Sequence, residues 1–182
     1  VAAVYRALLK TYQPQNIGIY GCSAGGQLTA QAVAWFQKAG LPRPGGIGMF
    51  CAGADYWTEG DSGKARQIFY GPPNTGLQRD NPYLKHVDPQ DPLAYPLHSA
   101  AVMAKFPPSL LITATRDLAL SSVVHTHSVL VREGVQAQLH VWEGLDHAFF
   151  YDPDLPQSRE VHEVVVRFFE RYLGASAPAP GR

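Results

Sequence analysis

Hydrophobic positions along the chain recur with two different spacings, which predict helices alternating with strands. Apolar residues three or four apart indicate amphipathic helices over residues 1–12, 24–38, 121–133 and the last apolar segment, up to residue 172. The runs NIGIY, IGMFCA and SLLITA are apolar without alternation, which is typical of strands covered on both faces. This order predicts an α/β fold with a mostly parallel sheet and flanking helices.

The remaining segments have different patterns. In VQAQLHVW, residues 135–142, apolar and polar residues alternate, which predicts an edge strand whose backbone groups are open to pairing. Turn-forming residues are frequent over about 55–108, and we expect a partly helical insertion there. The tail GASAPAPGR, residues 174–182, has nothing to bury and is predicted to be disordered, which leaves residues 1–173 as the folded domain.

Composition narrows the function classes. The chain has 182 residues, 46% of them hydrophobic, which suits one domain with a sizeable core. Fifteen basic and fifteen acidic residues cancel without basic runs, so we expect no nucleic-acid partner. No apolar run approaches the ~20 residues of a membrane span, so we expect no membrane insertion. The two cysteines, Cys22 and Cys51, are expected to be reduced, packed thiols.

A serine between two glycines provides the main candidate for chemistry. Gly21-Cys22-Ser23-Ala24-Gly25 has the pattern G-x-S-x-G and lies between a predicted strand and a predicted helix, as a nucleophile elbow requires. Such a turn exposes the serine hydroxyl, and the Ala24 amide at the helix start is placed to bind an oxyanion. The alternative is a glycine-rich turn in which Ser23 only caps the helix.

A serine nucleophile also needs a base and an orienting carboxylate, in the order serine, acid, histidine for this architecture. His147 is the favoured base because it lies in the loop between the last strand and the last helix. Asp117, directly after SLLITA, is the favoured acid, and Asp146 is a weaker candidate. The other histidines are expected to be surface or packing residues: His86, His98, His125, His127, His140 and His162.

The sequence GDSGK, residues 60–64, superficially matches two other motifs. A chymotrypsin-type serine would need an upstream histidine, and none precedes His86. A phosphate-binding loop would need wider glycine spacing and a Ser or Thr where Ala65 stands. We therefore expect a solvated loop.

Three segments together resemble α/β-hydrolases, and more narrowly the hormone-sensitive-lipase-like esterases: GCSAGG, DPQDPLAYPL followed by FPPSLLITATRD, and HVWEGLDHAFF. The resemblance implies Ser23 as nucleophile, Asp117 as acid, His147 as general base and no cofactor. It also implies a glycine-rich oxyanion loop upstream of the elbow, which the chain lacks, so we expect the C-terminal portion of a longer hydrolase without the N-terminal strands. Edge-strand pairing through residues 135–142 into a homodimer is a further expectation.

The sequence thus predicts a serine hydrolase acting on a small neutral ester through an acyl-enzyme. Two alternatives stay open, namely a serine peptidase of the prolyl-oligopeptidase type and a non-catalytic ligand-binding protein on the same fold. Four aromatic residues of the insertion are candidates for an apolar substrate pocket, or equally for a small core: Phe69, Tyr70, Tyr83 and Tyr95.

Overall fold

The computed structural model of the chain describes residues 1–56, 60–71, 83–84 and 86–174. Residues 175–182 of the predicted disordered tail lie outside this range. The helices are α1 (Ala2–Leu8), α2 (Ala24–Lys38), α3 (Asp61–Tyr70), α4 (Ala100–Met103), α5 (Leu120–Arg132) and α6 (Pro156–Tyr172). The strands are β1 (Gly18–Cys22), β2 (Gly46–Phe50), β3 (Ser109–Ala114) and β4 (Ala137–Trp142). Short 3-10 helices span Pro14–Asn16, Pro96–His98 and Phe149–Tyr151.

The four strands form one parallel sheet in the order β1-β2-β3-β4. Successive side chains of β3 enter opposite cores, since Leu111 joins the core formed with α2 and α5, and Leu110 and Ile112 join the core formed with α6. Each such fully buried aliphatic side chain contributes about 1.5–3 kcal/mol. The predicted α/β fold with a parallel sheet and flanking helices is therefore confirmed.

Three of the predicted strands differ from the structure. The strand predicted at IGMFCA, residues 47–52, ends at Phe50, because Cys51 leaves the extended conformation with φ 51°. The predicted run NIGIY ends at Tyr20, but β1 continues through Cys22 because Gly21 and Cys22 pair in register with Met49 and Phe50. The alternation in VQAQLHVW does not produce one dry and one wet face, since Val141 is exposed and Trp142 packs against Phe149. Both faces of β4 are partly covered, so the period-two pattern was a poor guide to burial there.

At the edges of the sheet, the sequence expectations have mixed outcomes. β4 is an edge strand of the described sheet, as expected, and the pairing of two copies through residues 135–142 stays a prediction. The expected loop at GDSGK is wrong, because residues 61–64 form the first turn of α3. In the described part of the chain, the helices are too short or too polar to cross a bilayer.

Candidate active site

The carboxyl end of β1 turns sharply into α2 at Ser23. Its backbone has φ 54° and ψ −121°, and its amide donates a 2.8 Å hydrogen bond to the Phe50 carbonyl of β2. Positive φ is costly for a residue with a side chain and is seen where surrounding structure enforces it. Within the described residues the Ser23 hydroxyl caps no amide of α2, so the helix-cap interpretation does not account for this serine.

Two glycines make the turn possible, but they are not the two expected. A Cβ at Gly21 would overlap the carbonyl group of Gly25, and one at Gly26 would lie 2.9 Å from the Ala52 Cβ. A Cβ at Gly25 would meet no described atom within 4 Å apart from its chain neighbours and the backbone of its own helix. The second glycine of G-x-S-x-G is thus not needed for space, and the close approach depends on Gly21 and Gly26.

Three side chains from separate loops form one chain of hydrogen bonds. The Nε2 atom of His147 lies 2.9 Å from the Ser23 Oγ, and its Nδ1 atom lies 2.7 Å from the Asp117 Oδ1. If Nδ1 carries the proton, it donates to the carboxylate, and Nε2 is free to accept the proton of the serine hydroxyl. The structure therefore brings together the three residues that the sequence nominated.

Asp117 is fully buried and both of its carboxylate oxygens accept hydrogen bonds. Oδ1 accepts from the Ala119 amide at 2.8 Å as well as from His147, and Oδ2 accepts from the Thr113 hydroxyl at 2.8 Å. Burial by itself raises the pKa of this carboxyl, but the hydrogen bond and charge of His147 and the hydrogen bonds of Ala119 and Thr113 outweigh it, and the pKa lies below its ordinary value. The carboxylate is consequently held in its charged form.

The same pairing acts on His147 in the opposite direction. Burial lowers the pKa of the imidazole, whereas the hydrogen bond and the negative charge of Asp117 raise it, and the net result is a raised pKa. A more basic imidazole is a better proton acceptor for a hydroxyl group.

Backbone hydrogen bonds fasten together the two loops that carry Asp117 and His147. The Thr115 amide donates to the Trp142 carbonyl at 2.9 Å, and the Arg116 amide donates to the Leu145 carbonyl at 3.1 Å. The Thr115 hydroxyl accepts from the Gly144 amide at 2.8 Å. These bonds extend the pairing of β3 with β4 past the ends of the strands, and they fix the spacing between the acid and the base.

Backbone strain is concentrated at this end of the sheet. Among the described residues, positive φ outside glycine occurs at Ser23, Cys51 and Ala148. Cys51 directly follows β2, Ala148 directly follows His147, and the Ala148 amide donates to the Cys51 sulfur at 3.3 Å. Strained residues of this kind cost roughly 1–3 kcal/mol each and cluster at functional sites.

The remaining sequence candidates for the chemistry occupy different positions. Ala24 is the first residue of α2, where amides have no partner within their own helix, so its N–H is available beside Ser23. The Asp146 carboxylate accepts from the adjacent His147 amide at 2.7 Å, and it is Asp117 that bonds the imidazole ring. The His98 ring pairs with a different carboxylate, that of Asp55, at 3.3 Å.

The predicted pocket residues do not share one environment. Tyr95 is buried and stacks on Tyr56 with ring centroids 4.5 Å apart, so it belongs to a small aromatic core. Tyr83 is exposed and lines a cavity of about 450 Å³ along Leu28 and Trp35 of α2. The side chains of Phe69 and Tyr70 lie outside the described residues.

Metal-binding atoms also meet at the site. The sulfur of Cys51 and the ligand atoms of Asp117 and His147 lie within 4.8 Å of one another. Asp117 and His147 are hydrogen-bonded to each other through Nδ1, and Nε2 faces Ser23. This donor set is therefore part of the serine-centred arrangement.

Sequence reasoning missed two residues of the site, Thr113 and Cys51. Thr113 is a fully buried polar residue near the end of a mostly apolar strand, four residues before Asp117, and its hydroxyl was the available signal. Cys51 was interpreted as a packing residue, and its left-handed backbone has no signature in the sequence.

Comparisons with known proteins support a hydrolase. In solved structures, the chain is similar to EstE5 soaked by p-nitrophenyl butyrate, with 27% identity and a TM-score of 0.84. It is also similar to an esterase from the bacterial hormone-sensitive lipase (HSL) family, with 25% identity and a TM-score of 0.81. Esterase E25 matches with 32% identity and a TM-score of 0.80. No curated protein matched the chain.

The match extends over most of this chain but only part of those structures. It covers 95% of this chain for EstE5 and the HSL-family esterase and 93% for E25. The same alignments cover 59%, 59% and 53% of those three chains, respectively. The family model described as alpha/beta hydrolase fold matches residues 1–151. The chain therefore belongs to the alpha/beta hydrolase fold family.

Proposed function

We propose that this protein is a serine carboxylic-ester hydrolase with Ser23 as nucleophile, His147 as general base and Asp117 as the orienting acid. The observation that carries the proposal is the continuous hydrogen-bond chain from the Ser23 hydroxyl through His147 to a buried carboxylate. The strained Ser23 backbone at a strand-to-helix turn supports it, because that conformation aims the hydroxyl outward. The esterase names of the structural neighbours favour an ester as substrate.

The proposed reaction begins at Ser23. The Ser23 Oγ attacks the ester carbonyl carbon as His147 Nε2 takes the hydroxyl proton, and the carbonyl oxygen becomes an oxyanion beside the Ala24 amide. The carbon–oxygen bond to the alcohol then breaks, and the alcohol leaves with the proton from Nε2, so that an acyl-Ser23 ester remains. Water attacks this ester, gives its proton to Nε2, and the acid is released as Ser23 regains its proton.

Asp117 contributes through charge and orientation. The imidazole becomes a cation during each proton transfer, and a carboxylate 2.7 Å from Nδ1 stabilises that cation. Because Thr113 and Ala119 hold the carboxylate in one orientation, the ring is directed toward Ser23 before substrate binds.

The direct test compares wild-type protein with Ser23→Ala on p-nitrophenyl butyrate, together with labelling by a fluorophosphonate probe. We expect Ser23→Ala to abolish both hydrolysis and labelling, since the variant lacks the attacking oxygen. Ser128→Ala, which removes an exposed hydroxyl from α5, serves as the matched control and should keep both. Ester turnover by Ser23→Ala above a few per cent of wild type would remove Ser23 as nucleophile.

A second comparison concerns the bond that is cleaved. Short acyl p-nitrophenyl esters and aminoacyl p-nitroanilides both release a nitroaromatic chromophore. The bond that is cleaved is an ester in the first and an amide in the second. We expect rapid hydrolysis of the esters only. Preferential cleavage of the anilides would indicate a peptidase instead.

A further inference from the structure

Two thiols meet directly beside the Ser23 turn. Cys22 ends β1 and pairs in register with Phe50, and Cys51 is the residue after Phe50. Both are free cysteines, and the partly exposed Cys22 packs against the apolar cluster that contains the buried Cys51. The chain has no other cysteine. This dithiol, Cys22 with Cys51, lies one residue from the proposed nucleophile.

The Cys51 side chain is placed by an unusual backbone conformation. In a regular strand, successive side chains point to opposite faces, so Cys51 would leave the face that Phe50 shares with Cys22. With φ 51°, Cys51 departs from that alternation, although its amide still donates to the Ile112 carbonyl of β3 at 2.7 Å. Left-handed backbone is unfavourable for a residue with a Cβ, and here it accompanies the placement of Cys51 in the cluster against which Cys22 packs.

The two thiols are unequal in acidity. The Cys51 hydrogen bond lowers the pKa of Cys22 to about 7, against the effect of burial, and a Tyr151 hydrogen bond and the charge of His147 act in the same direction. The pKa of Cys51 is raised by its bond to Cys22 and by burial. Near neutral pH a large share of Cys22 is consequently thiolate, which is the reactive form of cysteine, with a protonated Cys51 beside it.

We propose that Cys22 and Cys51 are a reactive dithiol site for small-molecule disulfides of the glutathione class, which convert it into an intramolecular disulfide. The Cys22 thiolate attacks one sulfur of the small disulfide, which forms a mixed disulfide and expels one thiolate. Cys51 loses its proton and attacks the Cys22 sulfur, which closes the protein disulfide and expels the second thiolate. The protein thiols lose two electrons and two protons, and the small disulfide gains them as two thiols.

Closure has a consequence for the site that rests on the proposed function. A disulfide is only about 2.05 Å long, shorter than any contact between unbonded sulfur atoms, so its formation must move the two side chains toward each other, and we expect the attached backbone to shift with them. Cys22 precedes Ser23, and the Cys51 sulfur accepts the hydrogen bond of the Ala148 amide, next to His147. Displacements of about 1 Å can cost ~10²-fold in rate, and we expect a loss of that size, reversed by dithiothreitol.

The test measures disulfide formation by intact mass and its effect on the site by ester turnover. Wild-type, Cys22→Ala and Cys51→Ala proteins are incubated with oxidised glutathione, blocked with N-ethylmaleimide under denaturing conditions and weighed intact. We expect wild type to lose two hydrogens and take up no maleimide. Cys51→Ala should retain one glutathione adduct on Cys22, and Cys22→Ala should take up one maleimide on Cys51.

The outcomes separate this proposal from the ester hydrolase proposal. If wild type takes up two maleimides, or stops at a glutathione adduct as we expect of Cys51→Ala, the proposed dithiol site is wrong. This conclusion does not depend on the ester turnover. If the disulfide forms but the reduced protein hydrolyses no ester, the dithiol site stands and the proposed function fails. If the oxidised wild type retains the turnover of the reduced protein, the link between the disulfide and the site is wrong. Each variant's turnover is compared with its own reduced form.

Discussion

Among the described residues, two histidine–aspartate pairs join segments that lie outside the strands of the sheet. Asp117 with His147 and Asp55 with His98 both join a mostly buried carboxylate to a histidine that is 20% or 27% exposed. The two pairs differ in what the second ring nitrogen contacts. His147 Nε2 faces the Ser23 hydroxyl, whereas His98 Nδ1 lies 2.7 Å from the Pro89 carbonyl.

That difference decides which pair can move a proton. Both nitrogens of His98 face acceptors, the Asp55 carboxylate and the Pro89 carbonyl, so its ring connects these two segments of the chain. His147 has one acceptor and one hydroxyl donor, the arrangement that a general base needs. A histidine–aspartate contact alone therefore indicates structure as readily as chemistry, and the third partner distinguishes them.

The largest effect is expected from removing the two histidines in turn. His147→Ala should lower kcat for p-nitrophenyl butyrate by about 10⁶-fold, since loss of the base disables the whole unit. His98→Ala should leave kcat within roughly tenfold, because its ring contacts no reacting group in the proposed mechanism. Thermal unfolding of both variants checks that each remains folded. A larger loss of turnover from His98→Ala would reverse the assignment of the two pairs.

Exchanging the two carboxylates for amides gives the next largest contrast. Asp117→Asn should keep the fold and reduce kcat by roughly 10⁴-fold, because an amide favours the wrong tautomer of His147. Asp55→Asn is the matched control, and we expect it to change stability more than turnover. Steady-state kinetics of both variants measure the contrast. If Asp146→Asn proves more damaging than Asp117→Asn, the acid of the site is Asp146.

Much of this site was predictable from sequence because its main parts are local. Gly21 and the small residues that follow Ser23 mark a sharp strand-to-helix turn, and loops after parallel strands open at one edge of the sheet. Ser23, Asp117 and His147 each follow a strand, so the topology gathers them. The fold was equally accessible, since uninterrupted apolar runs such as SLLITA match a strand buried on both faces.

What the sequence did not reveal depends on distant contacts. The pairing of Cys22 with Phe50 extends β1 beyond the predicted strand end, and no local pattern encodes that register. Thr113 gains its role only through a hydrogen bond to Asp117 across a turn, and Cys51 gains its role through a backbone conformation set by its neighbours. Aromatic composition likewise failed to separate core from surface, as the buried Tyr95 and exposed Tyr83 illustrate.

Thr113 gives a test with a smaller expected effect, because its hydroxyl donates to one oxygen of the Asp117 carboxylate. Thr113→Val preserves the shape of the side chain and removes the donor to Oδ2, which leaves that oxygen buried without its hydrogen bond. We expect a loss of about 1.5–3 kcal/mol in the free energy of unfolding, the range for hydrogen bonds to charged groups. Urea titration measures it. Thr113→Ser, which keeps the hydroxyl, should recover most of the loss, and equal destabilisation by both variants would contradict the role of the hydrogen bond.

The smallest expected effect is a shift in the pH dependence of kcat/KM. It distinguishes the Asp117–His147 pair from the Asp55–His98 pair. His147 must be neutral to accept the Ser23 proton, and its raised pKa means that it becomes neutral only at a higher pH than an ordinary histidine. The acid limb of kcat/KM should therefore lie above the ordinary histidine pKa of about 6.5. Asp117→Asn removes the hydrogen bond and charge that raise this pKa and leaves the burial that lowers it, so the limb of its residual activity should move to lower pH. His98→Ala should leave the limb where it is in the wild type. A limb that moves in His98→Ala, or stays fixed in Asp117→Asn, would show that another group controls the titration.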